Sequence, residues 1–400
     1  HSRHNGHPRM FGYVQSPGTA IAAFADLLAS ALNANLTVWR SAPAAVELER
    51  MTIDWIRQIL GFEPGADGLF VSGGSMANLS ALAVAREAKK HSLGKTLRIY
   101  ASRETHYSIG KAAALLGIGR ENLRAINVDA SFRIDLNDLV AQIEADRAAG
   151  HQPFCVVANA GSVNTGAIDP LRALREVATR FDLWLHVDAS YGGFAILADS
   201  ARESFRGIEL ADSVALDPHK WLYLPVDCGC VIYRDPETAR AAFSFEADYT
   251  RIIGQEADEA FAFWDYGPEL SRRFRALKVW MLLKGVGLDS LGAAIEKDLA
   301  CARHFESLVR GSEEFEMLAP VELSIFCFRY HPRGAQDLDH LNERLLVALQ
   351  RDGNSYLSNA TINGHFALRG CVMNYRTTLR DMEILLDDLR RLAAGLTDVL

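Results

Sequence analysis

The order of apolar and polar positions divides the chain into helices and short strands. After a lead-in over residues 1–19 that is rich in Gly and Pro, apolar residues recur at helical spacing over 21–33 and 44–60. From residue 69 onward, short apolar or β-branched runs alternate with helical stretches. The predicted strands are 69–72, 96–102, 154–160, 183–189, 212–217 and 228–235, with a further strand ending near residue 129. The predicted helices between them are 76–89, 109–116, 136–148 and 170–181.

Strands that alternate with helices predict an α/β fold, in which helices cover both faces of a mostly parallel sheet. Ligands of such sheets bind beyond the carboxyl ends of the strands. The polar and aromatic stretch 244–268 is interpreted as a long loop or lid. A helical region over 270–309, broken near 285–287, precedes a small α+β unit that reads as strand, helix, two short strands, helix. We therefore expect a terminal remnant at 1–19, a large domain at 20–290 and a small C-terminal domain at 291–400.

Composition and charge exclude several classes of partner. The 400 residues include 50 acidic and 42 basic side chains, for a net charge of −8, and no Lys/Arg run is visible. Nucleic acid is therefore not expected as the main partner. No apolar stretch is long enough to span a bilayer and no secretory signal is present, so we expect no membrane association and a cytoplasmic location. The six scattered cysteines form no C-x-x-C pair, which is typical of free thiols in a reducing compartment.

Three histidines near the start of the chain raise the question of a metal site. His1, His4 and His7 are closely spaced, but Gly6 and Pro8 disfavour holding them on one helix face. We expect no metal there.

Two ionisable residues stand where predicted strands end. Lys220 precedes the run Trp-Leu-Tyr-Leu, and a lysine among apolar residues loses ammonium solvation, which makes the neutral amine of a Schiff-base lysine accessible. The alternative is a lysine that only extends its charge to solvent. Asp188 ends a buried run and needs a cationic or donor partner, which a protonated pyridine nitrogen, a helix N-terminus or a backbone nest would supply.

Three further segments carry polar groups at strand ends. The turn VSGGSMAN at 71–78 offers backbone N–H groups and a hydroxyl at a helix start, which is typical of an anion site or of a simple N-cap. His106 would stack on a flat ring, shuttle a proton or serve structure alone. The loop 159–171 places Ser162, Asn164 and Thr165 close together, for ligand binding or for turn formation. Together with Lys220 and Asp188, these features form the set that pyridoxal phosphate requires.

The motifs in this order resemble those of the group II pyridoxal-phosphate decarboxylases, the family of aromatic-L-amino-acid, histidine and glutamate decarboxylases. The matching stretches include HPRMFGYVQSPG, VSGGSMANL, ETHYSIGKAA, ANAGSVNTGAIDPL, LHVDASYGGF, ALDPHKWLYLPVDCG and LSRRFRALKVW. The resemblance implies the type I aminotransferase-like fold with a seven-stranded sheet, pyridoxal 5'-phosphate as cofactor, and a homodimer with its active site at the subunit interface. It also implies that an L-amino acid loses CO₂ to give an amine, and we favour an aromatic or neutral substrate.

The same resemblance assigns roles residue by residue. Lys220 would bond to the cofactor aldehyde, Asp188 would pair with the pyridine nitrogen, and His106 would stack on the ring. The other implied cofactor contacts are Gly73, Gly74, Ser75, Ser162, Asn164, Ser190, Asp217 and His219. Tyr13 and Ser16 match the segment that lines the substrate pocket, and Trp39 matches a stretch that the neighbouring subunit supplies.

Departures from the family pattern leave alternatives open. Ser190 stands where the family often has Ala, and Phe263 stands where a lid tyrosine protonates the product. A Phe at that place diverts some members to aldehyde formation, so the product is an amine or an aldehyde. An acidic amino acid or diaminobutyrate remains an alternative substrate, as does another type I lyase or aminotransferase reaction. A non-catalytic binding homologue is disfavoured by the intact Lys220, Asp188 and His106, and a nicotinamide dehydrogenase by the lack of its glycine fingerprint.

Overall fold

The large sheet has seven strands in the computed structural model, which describes residues 4–89, 95–245 and 261–397. These strands are β1 (Asp67–Val71), β2 (Leu97–Ser102), β3 (Leu123–Ile126), β4 (Gln152–Asn159), β5 (Trp184–Asp188), β6 (Ser213–Leu216) and β7 (Gly229–Tyr233). Their order across the sheet is β1-β7-β6-β5-β4-β2-β3. Strand β7 runs antiparallel to β1 and β6, whereas the other neighbouring pairs are parallel. The predicted mostly parallel sheet is confirmed.

Helices lie before, between and after these strands, and several of them pack against the sheet. They are α1 (Ala20–Leu32), α2 (Pro43–Ile59), α3 (Gly74–Ala88), α4 (Ser108–Leu115), α5 (Leu136–Ala148), α6 (Leu171–Arg180), α7 (Asp199–Arg202), α8 (Pro218–Trp221), α9 (Pro236–Phe243), α10 (Ala276–Val286), α11 (Leu288–Arg310), α12 (Leu338–Asp352) and α13 (Leu379–Thr397). Gly287, whose φ is +82°, separates α10 from α11, because this left-handed conformation suits glycine and ends a helix. The predicted break near 285–287 is confirmed.

A second sheet lies in the C-terminal part of the chain. Strands β8 (Phe315–Met317), β9 (Ile325–Tyr330), β10 (Ser358–Ile362) and β11 (His365–Cys371) pair antiparallel in the order β10-β11-β9-β8. The segment expected as one strand is therefore two, and Pro320 lies between them, where its missing N–H disfavours continued pairing. The small α+β unit is confirmed, whereas the domain boundary at residue 290 stays a prediction.

The N-terminal lead-in packs on this second unit. The N–H of Phe11 donates to the carbonyl of Tyr356 at 2.9 Å, and the Phe11 ring joins the apolar cluster that includes Phe305 and Phe326. Residues 4–19 thus cross from one unit to the other, which brings Tyr13 toward the end of the large sheet.

The described residues also bear on the expectations about membranes, thiols and metals. No helix in those ranges combines the length and apolar character that a membrane span requires. All six cysteines are free and buried. In the same ranges no group of three or more His, Cys, Asp or Glu side chains is arranged to hold a metal ion, and His1 lies outside them.

The buried carboxyl of Asp298 links α11 to the segment that carries Lys220. Asp298 on α11 is fully buried, and its Oδ2 accepts hydrogen bonds from the Tyr223 hydroxyl at 2.8 Å and the Trp221 indole N–H at 3.4 Å. Its Oδ1 has no partner in the described part of the chain. Burial raises the pKa of Asp298 to about 7, although the two hydrogen bonds oppose the rise.

The raised pKa of Asp298 makes stability depend on pH. Because this pKa is above its ordinary value of 3.8, the stability that the proton contributes is complete at low pH and is lost as the pH rises through about 7. Asp298→Asn keeps an acceptor but carries no charge, so the variant should gain about 1 kcal/mol or more over the parent chain above pH 7. Urea unfolding of the cofactor-free chain across this pH range measures the difference. The exposed Asp387→Asn is the control. A difference in unfolding free energy between Asp298→Asn and the parent that does not change with pH would contradict the prediction.

Candidate active site

A cavity of about 610 Å³ opens at the carboxyl ends of the central parallel strands. Loops that follow β1, β2, β4, β5 and β6 form most of its wall, and β10 and β11 close another side. Of the predicted site residues, the cavity is lined by Tyr13, Gly73, Gly74, Ser75, His106, Asn164, Asp188, Ser190, Asp217, His219 and Lys220. The structure thus brings together side chains that are more than 200 residues apart in the sequence.

Lys220 lies on the short helix α8, directly after β6. Its Nζ forms an ion pair with Asp217 Oδ2 at 2.8 Å, one helical turn earlier. The sequence placed Lys220 among apolar residues, and the structure adds a carboxylate that contacts its amine. Neighbouring His219 is fixed through Nδ1, which donates to the Cys228 carbonyl at 2.7 Å.

Asp188 is the last residue of β5 and is buried. Its Oδ1 accepts the backbone N–H of Ser190 at 3.1 Å, and its Oδ2 accepts the amide of Asn78 at 2.9 Å. Burial alone would raise the pKa of Asp188, but these hydrogen bonds and nearby positive charge outweigh it and lower the pKa. Asp188 is therefore an ionised carboxylate at neutral pH.

His106 follows β2 and lines the same cavity. Its Nδ1 is 2.8 Å from Ser108 Oγ, and its ring lies 4.1 Å from that of Tyr107, centroid to centroid. Burial lowers the pKa of His106 more than the charge of Asp188 raises it. A neutral imidazole with a flat exposed face is what stacking on an aromatic ligand requires.

The turn before α3, Gly73–Ser75, lines the cavity with backbone N–H groups. The backbone N–H groups of Gly74 and Ser75 begin the helix, and no hydrogen bond occupies them among the described residues. A Cβ at Gly74 would collide with the Ser190 hydroxyl, and one at Gly229 would collide with the backbone of Gly73. Glycine is thus required where two loops approach closely, and the free N–H groups at the positive end of the helix dipole suit a phosphate.

Arg369 on β11 bonds to several segments that line the cavity. Its guanidinium donates to the Val163 carbonyl at 2.6 Å and to the Tyr13 carbonyl at 3.2 Å. It also donates to the carbonyl of Asn164, whose side-chain amide bonds to Glu104 at 3.0 Å. Arg369 is buried, so it adds positive charge to the cavity from the C-terminal unit.

Three predicted site residues do not line the cavity. Ser162 is buried and bonds to Thr165 Oγ1 at 2.9 Å. The Ser16 hydroxyl donates to the His219 carbonyl at 2.9 Å and so supports the Lys220 loop. Trp39 donates through its indole N–H to Glu47 at 2.9 Å.

Phe263, the residue counted to the place of the lid tyrosine, lies in the core. It is 1% exposed, and its ring centroid is 4.2 Å from the guanidinium carbon of Arg272. Arg272 in turn forms a fully buried ion pair with Glu49. Phe263 therefore packs in the interior and not at the cavity, and residues 246–260 of the predicted lid lie outside the described residues.

Sequence reasoning missed the contribution of the C-terminal unit and of several neighbours of the predicted residues. The missed lining residues are Val14, Ser72, Met76, Tyr107, Asn159, Gly161, Val163, Tyr191, Ser358, Asn359 and Arg369. Tyr107 and Tyr191 lie within the matching stretches ETHYSIGKAA and LHVDASYGGF, so the motifs could have indicated them. Ser358, Asn359 and Arg369 lie on strands whose position relative to the large sheet has no local signal in the sequence.

Comparison with known proteins identifies the family. The family model described as the pyridoxal-dependent decarboxylase conserved domain matches residues 2–331. The chain belongs to this family. It is a carboxy-lyase that uses pyridoxal 5'-phosphate, as the sequence predicted.

Individual relatives cover nearly the whole chain. An aromatic-L-amino-acid decarboxylase of Bacillus atrophaeus is 38% identical over 393 residues, covering 98% of this chain and 82% of the relative. A phenylacetaldehyde synthase of Petunia hybrida is 31% identical over 386 residues, covering 91% and 76%. The crystal structure of Oryza sativa TDC with PLP and tryptamine gives a TM-score of 0.93 at 30% identity, covering 98% of this chain and 85% of that one. The decarboxylase fold predicted from sequence is confirmed.

The residues of the cavity fit this cofactor. The buried Ser190 Oγ and Asp217 Oδ1 have no hydrogen-bond partner in the described ranges, so both polar atoms can form a hydrogen bond with a ligand in the cavity. The glycine turn suits a phosphate, Lys220 an aldehyde, and the Asp188 carboxylate a protonated ring nitrogen.

Loss of the Asp188 charge should impair catalysis more than folding. Asp188→Asn keeps the shape of the side chain but removes the negative charge that we expect to support the cofactor, so kcat should fall by roughly a hundredfold or more. Steady-state CO₂ release measures this change, and circular dichroism checks the fold. Asp199→Asn on exposed α7 is the matched control, and an Asp188→Asn enzyme with parental kcat would refute the expectation.

Proposed function

We propose that this chain removes CO₂ from an aromatic L-amino acid and releases the corresponding amine. The observation that carries the proposal is the meeting of Lys220, Asp188, His106 and the glycine turn in one cavity at the sheet's carboxyl end. The names of the relatives support the aromatic substrate class.

Each residue then has a role toward the cofactor. Bound pyridoxal phosphate supplies an electron sink for bond breaking at the substrate Cα. Lys220 would hold its aldehyde. Asp188 keeps a proton on the ring nitrogen, and His106 packs against the ring.

The remaining roles complete the binding of cofactor and substrate. Gly73, Gly74 and Ser75 donate to the phosphate, with His219 nearby. Other cofactor contacts are assigned to Asn164, Ser190 and Asp217, whereas Ser162 does not line the cavity and supports the same loop through Thr165. Tyr13 borders the substrate, and Ser16 acts on that pocket through the His219 carbonyl.

The proposal includes a homodimer in which each subunit completes the other's site. Trp39 does not line the cavity of its own subunit, which suits a residue that serves the neighbour. Helix α1 also exposes an apolar face: Phe24 is 63%, Leu27 64% and Leu32 66% exposed. We place the enzyme in the cytoplasm, where the reducing environment suits six free buried thiols.

Cofactor attachment and substrate range test the proposed reaction. Borohydride reduction of the loaded enzyme should add the cofactor mass to the peptide that contains Lys220 and to no other. Lys220→Ala should abolish both the label and CO₂ release, whereas Lys284→Ala, an exposed lysine on α10, should change neither. Labelling at another lysine would refute the assignment.

A panel of amino acids then fixes the substrate class. Tryptophan, tyrosine and phenylalanine should release CO₂ at higher kcat/KM than glutamate, aspartate or diaminobutyrate. Preference for an acidic substrate would overturn the aromatic assignment. Release of aldehyde and ammonia, or transfer of the amino group to a keto acid, would overturn the proposed product.

Mixed dimers test whether Trp39 acts across the interface. In a dimer of one Lys220→Ala subunit and one Trp39→Ala subunit, a shared arrangement leaves one of the two sites with both native residues. Activity should then exceed that of either parent variant. If Trp39 instead serves its own subunit, no site retains both residues and the mixed dimer should be no more active than the Trp39→Ala parent.

A further inference from the structure

The side-chain amide of Asn78 joins the two residues that face the cofactor ring. Asn78 is buried on α3, and its Nδ2 donates to Asp188 Oδ2 and to Ser108 Oγ, each at 2.9 Å. Ser108 Oγ is in turn 2.8 Å from His106 Nδ1. On its other side, Asn78 Oδ1 is 2.9 Å from His186 Nε2. One buried amide thus lies between Asp188, His106 and a second histidine that does not line the cavity.

The far end of this network fixes the direction of its hydrogen bonds. The Trp184 indole N–H can only donate, and it donates to Ser213 Oγ at 2.8 Å. Ser213 is buried, and His186 Nδ1, 2.9 Å away, is the one acceptor that its hydroxyl proton has among the described residues, so the hydroxyl donates to that nitrogen. His186 therefore carries its single proton on Nε2 and donates it to Asn78 Oδ1. Burial lowers the pKa of His186 to about 4, so the ring is neutral at neutral pH.

The near end requires the same direction as long as Asp188 is ionised. An ionised carboxylate only accepts, so Asp188 must face the NH₂ group of Asn78. With the amide reversed, Asn78 Oδ1 would face the Asp188 oxygen, and that contact would need a protonated Asp188. The charge of Asp188 and the tautomer of His186 thus require each other.

The same orientation decides the tautomer of His106. Because Ser108 Oγ accepts from Asn78, its own proton is free to donate to His106 Nδ1. The backbone N–H of Ser108 also donates to that nitrogen, at 3.3 Å. With two donors directed at it, Nδ1 carries no proton, and the neutral ring holds its proton on Nε2.

We propose that Asn78, oriented by His186, is a positioning residue that sets the protons of this active site. Its amide holds Asp188 as an acceptor-only carboxylate and, through Ser108, holds His106 as the Nε2–H tautomer. The inference rests on the proposed function, because it concerns the same Asp188 and His106. It adds two residues, Asn78 and His186, that touch neither cofactor nor substrate in that scheme and act through others.

Nitrogen NMR on the cofactor-free chain tests the proton positions directly. The protein is labelled with ¹⁵N-histidine, and the two ring nitrogens of His106 and His186 are assigned by loss of signals in His106→Gln and His186→Gln. At neutral pH both rings should show a protonated Nε2 and a bare Nδ1. A proton on Nδ1 of either ring in the parent chain overturns the proposal without any further variant.

Two pairs of variants separate positioning from general support of the fold. Asn78→Leu keeps the volume but removes the amide, so His106 should become a mixture of tautomers and cofactor Kd should rise roughly tenfold or more. Ser80→Ala, also buried on α3, should leave both unchanged. His186→Gln keeps a donor toward Asn78 and should preserve the His106 tautomer, whereas His186→Leu should not.

The outcomes are distinguishable from failure of the proposed function. A parental His106 spectrum in folded Asn78→Leu, or the same spectrum in His186→Gln and His186→Leu, would overturn the proposal. If the leucine variants do not fold, the parent spectrum and His186→Gln still decide it. A chain that shows the expected tautomers but releases no CO₂ from any amino acid retains this inference and loses the proposed reaction.

Discussion

The active site depends on one carboxylate that stays ionised inside the protein. Asp188 ends the central strand β5, where burial opposes charge, and the carboxylate persists only because the Ser190 N–H and the Asn78 amide donate to it. These donors come from the loop after β5 and from α3, so the carboxylate links α3 to the end of β5. An unpaired carboxylate at this depth would destabilise the fold, and the same bonds that prevent this prepare the charge for the cofactor.

The large sheet and the ends of its strands could be predicted from the sequence because their signals are local. Apolar runs of strand length alternate with helical stretches, and Lys220, Asp188, His106 and the glycine turn each follow such a run. The carboxyl ends of parallel strands meet at one edge of the sheet, so these side chains can be placed there before any tertiary contact is known. Position alone does not determine the chemistry of these residues. The resemblance of the motifs to the decarboxylase family indicated it.

The rest could not be predicted because it depends on packing between distant segments. Arg369 belongs to a small antiparallel sheet, and nothing in its neighbourhood along the chain indicates that it meets Tyr13 and Val163. Phe263 was placed by counting from a motif, yet its ring packs on the buried Arg272 guanidinium. Asn78 was visible within a recognised turn, but its role emerged only from partners on β5 and α4.

The position of Arg369 has a consequence for synthesis of the protein. The cavity wall includes residues from Tyr13 to Arg369, so almost the whole chain must leave the ribosome before the pocket closes. Contacts of such long sequence separation form late and slowly. A nascent chain can therefore assemble much of its sheet while it still lacks a complete receptor for the cofactor. Full binding of the cofactor therefore has to wait until these distant segments have met.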